Sequence, residues 1–320
     1  MTHPTPTDPA PILELEGVSK TYRSVQALHD VTVSVRPGAI GLLGPNGAGK
    51  STLIKTLLGL ARLTGGQARV LGHDVATESR QIRERVGYMP EDDCAFAGLK
   101  GIEAVALAGQ LAGLPARVAL RRGHEILDYV TVAEERYREV QTYSTGMRQK
   151  IKLAQSLIHS PHLVFLDEPT NGLDPRGRER MLGLIRSLTQ KKGVSVVLST
   201  HILSDIEACC DAALILGRGR LLVYDSIANL QSTVEESCRV RVEGDAAPLA
   251  AALASQGLSS EPLSPNELKV AAAAATAGPQ LFAAAQRCGA VVREIAGSRN
   301  SLEDIFMTAV RETTQPVAGR

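Results

Sequence analysis

The chain has 320 residues, of which 44% are hydrophobic and 22% charged, and its formal net charge is +1. This composition is typical of a globular protein with room for one large and one smaller domain. A nearly neutral charge and 3% aromatic residues, with no Trp, argue against nucleic-acid binding, so no nucleic-acid partner is expected. No run of 18 apolar residues occurs, so no membrane-spanning helix is predicted. Five cysteines without C-x-x-C spacing favour a reducing compartment.

The first segments predict a tail followed by strands. Residues 1–11 hold four prolines and no basic-then-apolar signal, so a disordered tail is expected there. Residues 12–22 and 28–35 alternate in strand fashion, and the apolar run 39–43 predicts another strand. This last strand leads into the most informative motif of the chain.

Residues 44–52 form a complete phosphate-binding loop, G-x-x-x-x-G-K-S, between a predicted strand and a predicted helix at 51–60. Its glycines let backbone N–H groups point at an anion, and the helix N-terminus adds positive potential. Lys50 is expected to reach the β- and γ-phosphates, and the Ser51 hydroxyl to ligate Mg²⁺. The predicted nucleotide-binding residues of the loop are Gly44, Pro45, Asn46, Gly47, Ala48, Gly49, Lys50, Ser51 and Thr52.

Further along, residues 101–158 have a helical pattern, and strand signals then return at 163–166 and 194–199. These two runs are continuously apolar, as in a buried parallel sheet, and a helix is predicted between them at 175–192. The sequence therefore predicts an α/β core interrupted by a helical insertion at about 92–160.

The strand at 163–166 ends in two carboxylates, Asp167 and Glu168. A strand parallel to the loop strand brings its end beside the triphosphate, so Asp167 is expected to hold Mg²⁺ and Glu168 to act as general base. The alternative is a pair of carboxylates that are only solvated at a strand end. The phosphate loop upstream favours the catalytic interpretation.

Beyond a boundary near 230–237, short segments alternate between strand and helix patterns, and one of the helix patterns covers residues 279–287. Residues 236–312 are interpreted as a small α+β domain, with a β-α-β-β-α-β arrangement as its candidate topology. An apolar stripe on 301–311 predicts a last helix, and 313–320 a tail.

Three more segments complete a family pattern. Residues 143–149 read Tyr-Ser-Thr-Gly-Met-Arg-Gln, residues 169–174 read Pro-Thr-Asn-Gly-Leu-Asp, and His201 follows the strand at 194–199. Together with the loop and the Asp-Glu pair, they occur in the order typical of the ATP-binding subunit of ABC transporters, which residues 12–230 resemble. The resemblance implies a P-loop NTPase core of the ABC ATPase type, with an antiparallel β subdomain and a helical insertion.

The resemblance also assigns roles. It implies that Ser144 and Gly146 contact the γ-phosphate held by a second copy of the chain, and that Asp174 lies in the loop that crosses the dimer interface. By the same resemblance, His201 senses the γ-phosphate and Tyr22 stacks on adenine. A helix N-terminus that carries a serine and a glycine is chemically suited to bind an anion.

Two departures from the family pattern point to its export branch. Thr145 and Met147 replace a Gly and a Gln of the usual Leu-Ser-Gly-Gly-Gln signature, and Glu91 stands where Gln is usual. A carboxylate at Glu91 can ligate Mg²⁺, although it adds negative charge beside the triphosphate. With the segment Ser-Leu-Glu-Asp-Ile-Phe at 301–306, these features resemble the export branch of the family, such as drug, polysaccharide or copper-maturation exporters.

The resemblance therefore implies an ATPase subunit that binds ATP and Mg²⁺, forms a homodimer, and powers export through a separate integral membrane permease. It would be cytoplasmic and peripheral on the membrane through that partner. The alternative is a non-transport ABC ATPase that acts on ribosomes or nucleic acid. A single phosphate loop and the lack of heptad repeats disfavour that alternative.

Overall fold

The structure, a computed structural model, describes residues 10–92, 98–233, 237–272 and 274–298. The chain forms two compact units that divide between Ser226 and Ile227. The division falls four residues before the predicted end of the large domain, because a short helix that begins at Ile227 groups with the second unit. Most of the predicted N-terminal tail, the predicted helix at 301–311 and the C-terminal tail lie outside the described residues.

The first unit alternates strands and helices along most of its length. Its described strands are β1 (Leu13–Tyr22), β2 (Val25–Val35), β3 (Ala39–Leu43), β4 (Gly65–Val70), β5 (His73–Asp74), β6 (Val86–Met89), β7 (Leu163–Asp167), β8 (Ser195–Thr200), β9 (Ala212–Gly217) and β10 (Arg220–Ser226). Its described helices are α1 (Lys50–Leu57), α2 (Ser79–Arg85), α3 (Gly101–Leu111), α4 (Ala116–Tyr129), α5 (Thr145–Leu157), α6 (Pro175–Lys192) and α7 (Leu203–Cys209).

An antiparallel sheet in the order β2-β1-β4-β5 forms the first layer. In β1, the alternation that predicted a strand buries Leu13, Leu15 and Val18, while the intervening Glu14 and Glu16 remain at least partly exposed. One face of β1 thus packs in the core, and the other face is at least partly exposed.

A six-stranded sheet in the order β10-β9-β3-β8-β7-β6 forms the centre of the unit. Strands β6, β7, β8, β3 and β9 run parallel, and β10 pairs antiparallel with β9 as an edge strand. Every residue of β3, β7 and β8 is buried, because helices cover both faces of a parallel sheet. This burial on both faces explains why the apolar runs of β3, β7 and β8 are continuous and do not alternate with polar residues.

The helical insertion between β6 and β7 consists of α3, α4 and α5 with two short 3₁₀ turns, Glu134–Tyr137 and Val140–Thr142. Helical spacing predicts a buried stripe of Met147, Ile151, Ala154 and Ile158. Ile151 and Ala154 of α5 and its C-cap residue Ile158 are buried, whereas Met147 is partly exposed. In the parts of the chain that the structure describes, no helix is long and apolar enough to cross a membrane.

The second unit has the element order β-α-β-β-α-β after its first short helix. Its described elements are α8 (Ile227–Thr233), β11 (Ser237–Glu243), α9 (Ala247–Ala254), β12 (Ser260–Ser264), β13 (Glu267–Val270), α10 (Ala274–Cys288) and β14 (Val291–Ser298). The sheet order is β12-β13-β11-β14, and every pair is antiparallel. Helix α10 begins five residues before the sequence pattern indicated, with Pro279 inside it.

Candidate active site

The loops that follow β3, β7 and β8 meet at one edge of the central sheet. The three strands are neighbours in the order β3-β8-β7 and run parallel, so their carboxyl ends lie at the same edge. The phosphate loop follows β3, Asp167 ends β7 with Glu168 directly after it, and His201 follows β8. The fold therefore brings together side chains that are far apart in the sequence.

The phosphate loop turns tightly into α1 at Gly49. This residue has φ of 102° and forms the N-cap of the helix, whose first residue is Lys50. A Cβ at Gly49 would lie 2.7 Å from the carbonyl oxygen of Ala27 in β2. Glycine is therefore required here both for the backbone conformation and for the close approach of the neighbouring strand.

Lys50 lies folded into its own loop. Its ammonium donates to the carbonyl oxygens of Gly44 at 2.6 Å and Pro45 at 3.4 Å, and the residue is only 8% exposed. Burial lowers the pKa of Lys50 from its ordinary value, and the nearby carboxylates, Glu168 foremost, oppose that shift. A buried ammonium gains stabilisation when a phosphate group arrives.

Glu168 is buried, and its backbone adopts the left-handed conformation with φ of 49°. Its N–H donates to the carbonyl oxygen of Ser199 at 2.9 Å, which ties it to β8. Both carboxylate oxygens lie 3.0 Å from Nδ1 of His201, and the Thr200 hydroxyl donates to one of them at 3.5 Å. Residues of β8 and the residue that follows it thus contact both the backbone and the carboxylate of Glu168.

These groups line a cavity of about 410 Å³. Its lining contains these predicted site residues: Asn46, Gly47, Ala48, Gly49, Lys50, Ser51, Thr52, Glu91, Asp167, Glu168 and His201. Asp167 is 3% exposed, whereas Glu91 is exposed and its carbonyl oxygen accepts from Lys152 at 2.7 Å. The cavity therefore combines one ammonium, three carboxylates, a histidine and the loop backbone.

Two lining residues were not predicted from the sequence. Ala27 belongs to β2 and gave no sequence signal; Asn171 belongs to the segment 169–174, whose position after Glu168 could have indicated it.

Three residues that were predicted to contact the nucleotide of their own chain are not in the lining of this cavity. Gly44 and Pro45 are two of them, and their carbonyl oxygens accept from Lys50. Tyr22 is the third; it is 42% exposed, and the Lys20 ammonium lies 4.5 Å from its ring centroid. Its contact with adenine stays a prediction.

Ser144, Gly146 and Asp174 line a second, separate cavity of about 360 Å³, formed by the N-terminal ends of α5 and α6. Ser144 caps α5 by accepting from Met147 N at 3.4 Å, and Asp174 caps α6 by accepting from Gly177 N at 3.0 Å. No residue of this cavity is shared with the first. The phosphate loop, the Asp-Glu pair and His201 thus lie at one cavity, and Ser144, Gly146 and Asp174 lie at the other.

A phosphate loop at the end of a buried parallel strand, beside an Asp-Glu pair on a strand of the same sheet, defines a P-loop nucleotide-hydrolysing protein. Residues 28–171 match the family described as "ABC transporter". The daunorubicin/doxorubicin resistance ATP-binding protein DrrA of Streptomyces peucetius is 36% identical, over 71% of this chain and 69% of that protein. The uncharacterized ABC transporter ATP-binding protein YxlF of Bacillus subtilis is 31% identical, over 93% and 99% respectively.

A solved structure described as the ATP-binding subunit of an ABC transporter is 30% identical and superposes with a TM-score of 0.62, covering 69% of this chain and 92% of that one. The chain belongs to the ABC transporter family as an ATP-binding subunit, and it is an ATPase. The predicted family, fold class and enzymatic activity are confirmed. The comparisons favour the transporter subunit over the alternative that acts on ribosomes or nucleic acid.

Proposed function

We propose that two copies of this chain bind ATP between them and use its hydrolysis to power export through a separate membrane permease. The observation that carries this proposal is the division of the motifs between two cavities. Lys50, Glu168 and His201 line one, while Ser144 and Gly146 line the other. A second copy, turned so that its second cavity faces the first, would complete each site.

In this proposal the first cavity holds the nucleotide. The loop N–H groups and Lys50 bind the phosphates, since a charged donor and a helix N-terminus both favour anions. Tyr22 contacts adenine from outside the cavity lining. The buried position of Lys50 makes its contribution strong, because a buried charge is screened less by water.

The oxygen groups of the first cavity fit Mg²⁺. Among the described residues, no cluster of three or more His, Cys, Asp or Glu side chains is arranged to hold a metal ion by itself. A small number of oxygen ligands from the protein suits Mg²⁺, which is usually held by one or two carboxylates together with substrate phosphates and water. Ser51, Asp167 and Glu91 would hold the ion, which neutralises phosphate charge when bound.

Glu168 is the proposed general base, and His201 keeps it in place. With its proton on Nδ1, His201 donates to the carboxylate at 3.0 Å, so the carboxylate keeps a fixed direction at the edge of the cavity. The remaining lone pairs of Glu168 can accept from a water molecule that attacks the γ-phosphate. His201 is half exposed, which leaves its other nitrogen accessible to the γ-phosphate.

The second cavity supplies the remaining contacts to the γ-phosphate of the opposite copy. Ser144 and Gly146 lie at the N-terminus of α5, whose free N–H groups attract anions. Asp174 lies beside them and would contact the partner copy. Hydrolysis then depends on dimer closure, because neither copy alone provides all of the groups.

Transport requires a partner, since no described helix can cross a membrane. Integral membrane permease subunits are the expected partners in this family, and they would hold the chain at the cytoplasmic face. Export is supported by the similarity to a protein named for drug resistance. The domain of residues 236–312 and the ATP-binding domain of residues 12–230 are proposed as separate functional parts.

The test is purification of tagged Glu168→Gln from gently solubilised native membranes with ATP. This variant should bind ATP, hydrolyse it slowly and accumulate as a dimer with one multi-spanning membrane protein in stoichiometric amount. The double variant Lys50→Ala/Glu168→Gln is the control, and it should remain monomeric at 34.0 kDa. Recovery of ribosomal proteins, or of the chain alone, would contradict the export proposal.

A further inference from the structure

A buried carboxylate outside both cavities, Asp205 on α7, connects the segments that follow β7 and β8. Its residue is 0% exposed. One carboxylate oxygen accepts from the Thr170 hydroxyl at 2.6 Å, and the other accepts from Nε of Arg178 at 2.5 Å. Arg178 also donates to the Ser204 hydroxyl at 2.8 Å. A fully buried carboxylate is costly unless its oxygens are paired in this way.

The bonds join two chain segments that each begin with a proposed catalytic group. Thr170 lies two residues after Glu168 and is itself 3% exposed, while Asp205 lies four residues after His201. Arg178 lies in the first turn of α6, four residues after Asp174. The two segments therefore contact each other twice: Glu168 and His201 meet at their start, and Asp205 joins them again a few residues further along.

The contacts at the start of these segments hold Glu168 and His201 only in part, so the bonds of Asp205 can add to their positioning. The N–H of Glu168 fixes only its backbone to β8, and the Thr200 hydroxyl reaches its carboxylate at a long 3.5 Å. His201 has a side chain that is 54% exposed, so packing holds it weakly. A rigid link beyond both residues would keep their relative position when the phosphate and water arrive.

We propose that Asp205 is a positioning residue for ATP hydrolysis, which through Thr170 and Arg178 holds the Glu168–His201 pair and the start of α6 in one arrangement. The inference rests on the proposed function, because it concerns the same site. Asp205 does not touch the nucleotide cavity, so its effect is on turnover and not on nucleotide affinity. A group that orients others in this way acts through geometry that must be accurate to a fraction of an ångström.

The experiment compares Thr170→Val, which removes the hydroxyl while keeping the shape, with Thr170→Ser, which keeps the hydroxyl. A hydrogen bond to a charged group accounts for about tenfold or more in an equilibrium or rate. We expect Thr170→Val to lower kcat about tenfold with KM for ATP within about twofold, and Thr170→Ser to retain most of the activity. Asp205→Asn should lower kcat at least as much.

The double variant Thr170→Val/Asp205→Asn should be no slower than Asp205→Asn alone, since both changes break one network. As a control, Glu84→Gln changes an exposed carboxylate on α2 that lines neither cavity, and it should leave kcat unchanged. If Asp205→Asn fails to fold, the Thr170 pair still decides the question.

Unchanged kcat in Thr170→Val, or a loss of kcat and ATP affinity in equal proportion, would overturn the role of Asp205. The role of Asp205 would also be overturned if the losses in kcat of the two single variants multiplied in the double variant. A wild-type chain that does not hydrolyse ATP would overturn the proposed function and this inference together. Active wild type with unaffected Thr170 and Asp205 variants would overturn only this inference.

Discussion

The left-handed backbone conformation of Glu168 indicates that this active-site residue lowers the free energy of unfolding of the chain. Its φ of 49° lies in the left-handed region, which costs an L-residue other than Gly about 1–2 kcal/mol. Glu168→Gly and Glu168→Ala both remove the carboxylate and its contact with His201, so they differ mainly in this backbone term. We expect the Gly variant to be more stable than the Ala variant by about 1 kcal/mol, because part of the relief is offset by the greater freedom of Gly in the unfolded chain.

The assay is urea denaturation of both variants without nucleotide, with hydrolysis measured in parallel. Both variants should lose hydrolysis, and the difference in unfolding free energy corresponds to about 2–4 °C in the melting temperature of a domain of this size. An Ala variant at least as stable as the Gly variant would refute the strain at this residue. Hydrolysis retained by either variant would refute the role of Glu168 as general base.

Three further predictions concern the loop and the cap. Gly44→Ala should abolish ATP binding and lower the stability by about 1–3 kcal/mol, since its Cβ would lie 2.6 Å from the Leu216 carbonyl oxygen; calorimetric titration and thermal melting measure both. Asp174→Ala should cost about 1 kcal/mol in urea denaturation through loss of the α6 cap, whereas Asp174→Ser should cost only a few tenths. At pH values where the γ-phosphate of ATP is fully ionised, ATP affinity should fall as the pH rises through the pKa of Lys50, because the phosphate prefers the ammonium. Burial lowers that pKa, so the fall should begin at a lower pH than for an exposed lysine, and an affinity that is constant up to the ordinary pKa of lysine would contradict this reasoning.

The elements that sequence predicted best are those with a strict local requirement. The phosphate loop needs glycines, a lysine and a hydroxyl at fixed spacing, and β3, β7 and β8 need unbroken apolar runs because both faces are covered. Helix α6 begins at Pro175 and ends at Lys192 as predicted, since a proline, a capping Asp174 and Gly193 mark its ends.

Other features depend on contacts between distant segments, which no local pattern reveals. Residues 203–226 gave no predicted elements, although they form α7, β9 and β10. Asp205 gave no signal because its partners, Thr170 and Arg178, come from another part of the chain. The helical pattern at 279–287 also begins five residues after the observed start of α10, which contains Pro279 in its interior.

The central claim is that each hydrolysis site combines the first cavity of one copy with the second cavity of another. The direct test mixes two inactive variants, Lys50→Ala and Gly146→Asp, and measures ATP hydrolysis. A Cβ at Gly146 would meet only Leu173 Cδ2, at 3.6 Å, so the second change leaves its own chain able to fold. The mixture should hydrolyse ATP although each variant alone does not, because mixed dimers contain one intact composite site. A mixture as inactive as its components, with mixed dimers demonstrated, would contradict the account.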